Sequence, residues 1–91
     1  MSLLVNIGFG NTVNSDKVLA VDSPDAAPVR RMITSAREES RLIDATQGRK
    51  TKAVIVLDNG CLLLSSLQPE TITKRFNAGA VLQGGQEDMI E

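Results

Sequence analysis

The sequence predicts an α+β domain, a small and mainly antiparallel sheet carrying one long and one short helix. Three observations predict it. Short runs rich in Val, Ile and Leu recur at 3–7, 17–22, 42–46, 53–57 and 61–65, with Gly, Asn and Asp between them. Two segments led by proline, over 23–40 and from 68 onward, space their apolar residues as helices do. The chain has 91 residues, enough for one domain that buries about 60–65% of its unfolded surface.

Leu3–Ile7 reads as the first strand, and Gly8-Phe9-Gly10-Asn11 breaks it. Residues 12–14 form a second short strand, and Asn14-Ser15-Asp16 is turn chemistry. Lys17–Asp22 is a strand with its apolar residues at the centre. Ser23-Pro24-Asp25 then opens a helix running to about Ser40. Either Pro24 or Pro28 suits its first turn, where the missing N–H is no loss. Val29, Met32, Ile33 and Ala36 fall on one helical face, and Arg30, Arg37 and Arg41 fall together beside it.

Leu42–Thr46 returns as a strand, and Gln47–Lys52 is a turn holding three bases. Ala53–Leu57 is nearly continuous in apolar residues, as in a central strand covered on both faces. Asp58-Asn59-Gly60 is a tight turn into the return strand Cys61–Ser65. Gln68-Pro69-Glu70-Thr71 starts a short second helix with Ile72 and Phe76 on its inner face. The domain is expected to span 1–78, with 79–91 a flexible acidic tail loosened by Gly79, Gly84 and Gly85.

Charge is unevenly distributed. The net charge is -1, but Glu87, Asp88 and Glu91 sit in a tail without bases. Without them the chain has ten bases against eight acids. Arg30–Lys52 holds seven bases and three acids. Repeated around an oligomer, that excess makes a strong field for polyanions. Phe9 and Phe76 are the only aromatics. The core is therefore small, oligomerisation is one way to enlarge it, and stacking platforms for single-stranded nucleic acid are missing.

Several function classes are disfavoured. One cysteine, Cys61, cannot close an internal disulfide, which points to the cytoplasm. The absence of histidine leaves Cys61, Ser65 and Ser66 without a base and rules out ordinary zinc chemistry. No signal peptide or membrane-spanning run is visible. Asp58 is best read as a turn residue, Glu70 as a first-turn helix acid, and Asp44 as an anchor for the basic turn; none reads as a catalytic carboxylate. Gly8-Phe9-Gly10 lacks the third glycine and the following helix of a dinucleotide loop, so it reads as a turn between strands. No metal, cofactor or small-molecule substrate is expected.

The turn Gly48-Arg49-Lys50-Thr51-Lys52 is the sharpest feature. Its bases can project together, and Thr51 adds a hydroxyl suited to phosphate oxygens.

Long stretches of this chain resemble the RemA-type bacterial extracellular-matrix regulatory proteins. They are Asn6–Asn11, Ser23–Arg31, Leu42–Ile55 and Leu67–Thr71, and the resemblance covers about residues 3–76. It implies a non-enzymatic transcriptional regulator with a LytTR-like fold. It also implies assembly into a closed ring, such as an octamer, with double-stranded DNA running around it. The family's contact bases fall here on Arg49 and Lys50, followed by Lys52, and a further one falls on Lys17. Lys stands where the family has Arg at positions 17, 50 and 52, which keeps charge but loses the bidentate fork and suits backbone contact. Arg30 and Arg31 are expected to support this contact or the subunit interface. The rival reading is a structural or protein-interaction module whose basic turn meets an acidic protein.

Overall fold

The computed structural model describes residues 3–83. Its elements are β1 (Leu4–Gly8), β2 (Asn11–Asn14), β3 (Val18–Asp22), α1 (Ala27–Glu38), β4 (Leu42–Asp44), β5 (Ala53–Leu57), β6 (Leu62–Ser65) and α2 (Pro69–Gln83). A single 3-10 turn, Ser15–Lys17, precedes β3.

β1 and β2 form an antiparallel hairpin. The other strands form a four-stranded sheet in the order β3-β5-β6-β4. Within it, β3–β5 and β5–β6 are antiparallel and β4–β6 is parallel. The sheet is mainly antiparallel, and the apolar run 53–57 is a central strand. The β5–β6 turn places Gly60 at φ 88, where glycine avoids the clash a side chain would meet.

Side-chain alternation along the sheet divides the core in two. Ala53, Ile55 and Leu63 face one side, where they meet Val5, Ile7, Val13, Ala45 and Ile72. Val54, Leu62 and Leu64 face the other side, where they meet Val29 and Ala36 of α1. The result is three layers: α1, the sheet, and a layer built from the β1–β2 hairpin and α2.

The helices depart from the sequence reading in two respects. α1 starts at Ala27, with Pro28 in its first turn, while Ser23 Oγ accepts from Asp25 N and holds 23–25 in a turn. Ser40, at φ 59, turns the chain out of the helix. Arg41 therefore leaves the stripe beside Arg30 and Arg37, binding Glu39 and the Gly60 carbonyl. α2 has 15 residues against 12 for α1, so the helix expected to be short is the longer one. Ala78, Ala80 and Leu82 favour helix strongly enough to carry it past Gly79. Of the acidic tail expected at 79–91, residues 84–91 lie outside those described.

Two bulges tune the strands. The β1–β2 register shifts between Asn6 and Gly8, leaving Ile7 as the extra residue. Its side chain is fully buried, and its carbonyl accepts from Ser65 Oγ at 2.7 Å. The β3–β5 register shifts between Val18 and Ala20, which leaves Leu19 on the edge strand 69% exposed.

Candidate nucleic-acid interface

The basic turn is built from its flanks inward. At the end of β4, Asp44 Oδ1 accepts from both Thr46 N (2.9 Å) and Thr46 Oγ1 (2.6 Å). Asp44 anchors the turn, as its place in the sequence suggested. The Thr46 hydroxyl bond, followed by the Thr46 amide bond, holds the Asp44 carboxyl below its ordinary value; desolvation opposes them in part, and the Arg37 charge adds the smallest lowering effect. Arg49 N then donates to Thr46 O at 3.1 Å. Between them Gln47 (φ 52) and Gly48 (φ 82) both take positive φ, the signature of a type I′ turn. Lys52 N donates to Ser65 O at 2.9 Å and returns the chain to the sheet.

Arg49, Lys50 and Lys52 are all exposed on this scaffold. The sequence 45–53 contains no acid. The ion pairs seen among the described residues lie elsewhere, at Lys17–Asp58 and Arg41–Glu39. Three positive charges thus lie within four consecutive residues of one loop, exposed to solvent without a carboxylate partner among the described residues.

The second element at this end is the β1–β2 turn. Phe9 (φ 54) and Gly10 (φ 78) form another two-residue turn with both φ positive. Asn6 Oδ1 accepts from Gly8 N at 2.7 Å, and Asn11 Nδ2 donates to Gly8 O at 3.0 Å. Gly8 takes φ 114, which favours glycine, and a Cβ there would lie in ordinary contact with the Leu67 side chain. The hairpin is fastened to the sheet through Ser65, whose hydroxyl donates to Ile7 O and accepts from Leu67 N. This docking sets the Arg49 guanidinium carbon 5.8 Å from the centre of the Phe9 ring.

The other bases singled out from the sequence lie apart from this turn within one chain. Lys17 Nζ is 3.9 Å from Asp58 Oδ2, at the far end of β5. The five residues of β5 separate Lys52 from Asp58 by about 20 Å. Arg30 is exposed on α1. Arg31 lines an open cleft with Pro28, Met32, Ser35, Arg41, Val56, Gly60 and Leu62. Their contribution to a site shared with Arg49 would need a second copy of the chain.

Two residues escaped the sequence reading. Phe9 looked like a turn residue because nothing in the linear pattern connects it to Arg49, forty positions on. Its rarity as an aromatic was the available signal. Ser65, which has no histidine to activate it, is a structural tether; its partners, Ile7 and Leu67, are brought together only by the fold. Cys61 is half-buried beside the Asp58–Gly60 turn, with its amide bonded to Asn59 Oδ1. Among the described residues, no three His, Cys, Asp or Glu side chains gather as a metal site, and no helix is long and apolar enough to cross a membrane.

The sequence model of a family described as extracellular matrix regulatory protein A-like (RemA-like) matches residues 4–76. A protein of Cyanothece named "Putative regulatory protein" is 55% identical over 73 residues, covering 80% of both chains. One of the same name from Dictyoglomus thermophilum is 55% identical over 76 residues, covering 84% of this chain and 89% of its own. A Nostoc protein, also so named, is 53% identical over 73 residues, with 80% of this chain and 83% of its own covered.

Proposed function

The chain belongs to the RemA-like family of extracellular matrix regulatory proteins, and from that premise we propose that it regulates transcription by binding the backbone of double-stranded DNA, without enzymatic activity, as a cytoplasmic homo-oligomeric ring. The observation that carries this reading is the loop opened by the Thr46–Arg49 type I′ turn, on which Arg49, Lys50 and Lys52 are exposed and have no carboxylate partner among the described residues. Phosphate binding asks for such a cluster. Asp44 is the nearest acid in sequence, and its Oδ1 is bonded to Thr46 and not to any of these bases.

The sheet edges support an assembly. β3 and β4 are the outer strands, and each carries an exposed aliphatic side chain, Leu19 and Ile43 (48% exposed). The two edges differ in sequence and lie on opposite sides of the sheet. Joining one to the other makes a heterologous contact, which closes into a ring when the rotation permits. A ring repeats the basic turn and adds Lys17, Arg30 and Arg31 of further copies. Many weak phosphate contacts then act at high effective concentration.

The test is fluorescence anisotropy of the size-defined oligomer on a long DNA duplex across a salt series. Binding should weaken linearly with log salt, and Arg49→Ala with Lys50→Ala should reduce the slope by about one for each phosphate left unneutralised. No binding at low salt, or a double variant with unchanged affinity, refutes the reading and turns attention to an acidic protein partner.

A further inference from the structure

Phe9 occupies a position that local chemistry assigns to another residue. A type I′ turn favours Asn or Asp followed by Gly, because its first central residue needs positive φ. Phe9 sits there at φ 54, and bulky side chains rarely adopt this conformation. The strain persists because the surroundings enforce it: Asn6 and Asn11 clamp Gly8, and Ser65 fastens the bulged strand to the sheet. Burial accounts for only part of the ring's surroundings, since Phe9 remains 44% exposed. What it does have is the Arg49 guanidinium over its face. A strained, half-exposed aromatic whose partner is the leading candidate for phosphate contact calls for a functional account.

We infer that Phe9 is a positioning residue for DNA binding: its ring holds the Arg49 guanidinium at the outer edge of the basic turn, ordering it before phosphate arrives. The inference rests on the proposed DNA reading. Arg49 is a long side chain on an exposed turn, and fixing it on binding loses rotamer freedom. The cation–π contact with Phe9 removes part of that loss in the free protein. Arg suits this arrangement because its flat face can stack while its N–H edge stays free for an oxygen. The neighbouring Lys50 has no such aromatic partner among the described residues and contributes its charge alone.

The turn chemistry supplies a variant that separates structure from function. Phe9→Asn restores the preferred Asn-Gly turn and deletes the ring, while Phe9→Tyr keeps the ring. Each would be measured alone and with Arg49→Ala, by anisotropy on the same duplex, beside thermal melting and oligomer size. Phe9→Asn should melt no lower than the wild type, yet bind DNA roughly two- to fivefold more weakly per engaged subunit. Its salt slope should be unchanged, because no charge is removed. Phe9→Tyr should bind as the wild type does, and Phe9→Asn should have no further effect once Arg49 is Ala. If Arg49→Ala weakens binding and Phe9→Asn does not, the positioning role is overturned and the DNA reading stands. An equal loss from Phe9→Asn with or without Arg49 also overturns it, since the ring then acts independently. If Arg49→Ala leaves binding unchanged while its combination with Lys50→Ala weakens it, Arg49 makes no contact to be positioned and this inference is overturned; if the double variant also binds as the wild type does, the DNA reading fails with it.

Discussion

Ser65→Ala removes one oxygen atom, and the structure indicates an effect out of proportion to that size. Ser65 is fully buried. Its hydroxyl donates to Ile7 O at 2.7 Å and accepts from Leu67 N at 3.1 Å, joining β1, β6 and the approach to α2. Alanine would keep the packing and leave a carbonyl and an amide without this partner. Each polar group so stranded costs about 1–3 kcal/mol, and Leu67 is only half-buried, so the combined loss should be about 2–3 kcal/mol. For a domain of this size that lowers the melting temperature by about 10–20 °C. The assay is thermal unfolding at one fixed protein concentration, because assembly would couple stability to concentration. Ser66→Ala is the control, expected within about 0.5 kcal/mol as a substitution that removes no hydrogen bond of the fold. Equal shifts for the two variants would refute the tether. The loosened hairpin should also release Phe9 from Arg49, so DNA binding by Ser65→Ala should fall even at temperatures where the protein is folded.

The Asp44 anchor makes a pH prediction. Its carboxyl is held below the usual 3.8, so its contribution to stability is present above that pH and is lost as pH falls through the lowered value. The melting temperatures of the wild type and Asp44→Asn should therefore differ at neutral pH and converge in acid below 3.8; a constant difference would show that the charge is not what matters. At the sheet edges, Ile43→Lys or Leu19→Lys should shift the oligomer towards monomer without unfolding it. Light scattering checks this, and an unchanged mass for both variants would move the interface elsewhere.

Much of this protein was legible in its sequence where the signal was local. Ala53–Leu57 announced a central strand because a strand covered on both faces must be apolar at every position. The Asp58-Asn59-Gly60 turn and the hairpin partner that follows it were legible for the same reason: positive φ and tight reversal restrict the residue types within a few positions. Gln47–Lys52 was legible as a turn, but the positive φ of Gln47 was not, since glutamine does not signal it. Asp44 could be read as the anchor of the basic turn because its partner, Thr46, is two residues away. Where local signals competed, the reading was less exact. Ser23, Pro24 and Pro28 all suit a helix start, and the end of α2 depended on alanine and leucine outweighing one glycine.

The tertiary structure alone decided what lies next to what. Phe9 and Arg49 are forty residues apart, Ser65 and Ile7 fifty-eight, and no periodicity in either segment encodes the other. Lys17, grouped with the basic turn by resemblance, proves to be paired with Asp58 at the opposite end of β5. The physical reason is the same in each case. Backbone propensity and hydrophobic spacing act over a few residues and so are written in neighbouring letters. Contacts across the sheet depend on strand order, register and two single-residue bulges, which are fixed only when the whole core packs at once.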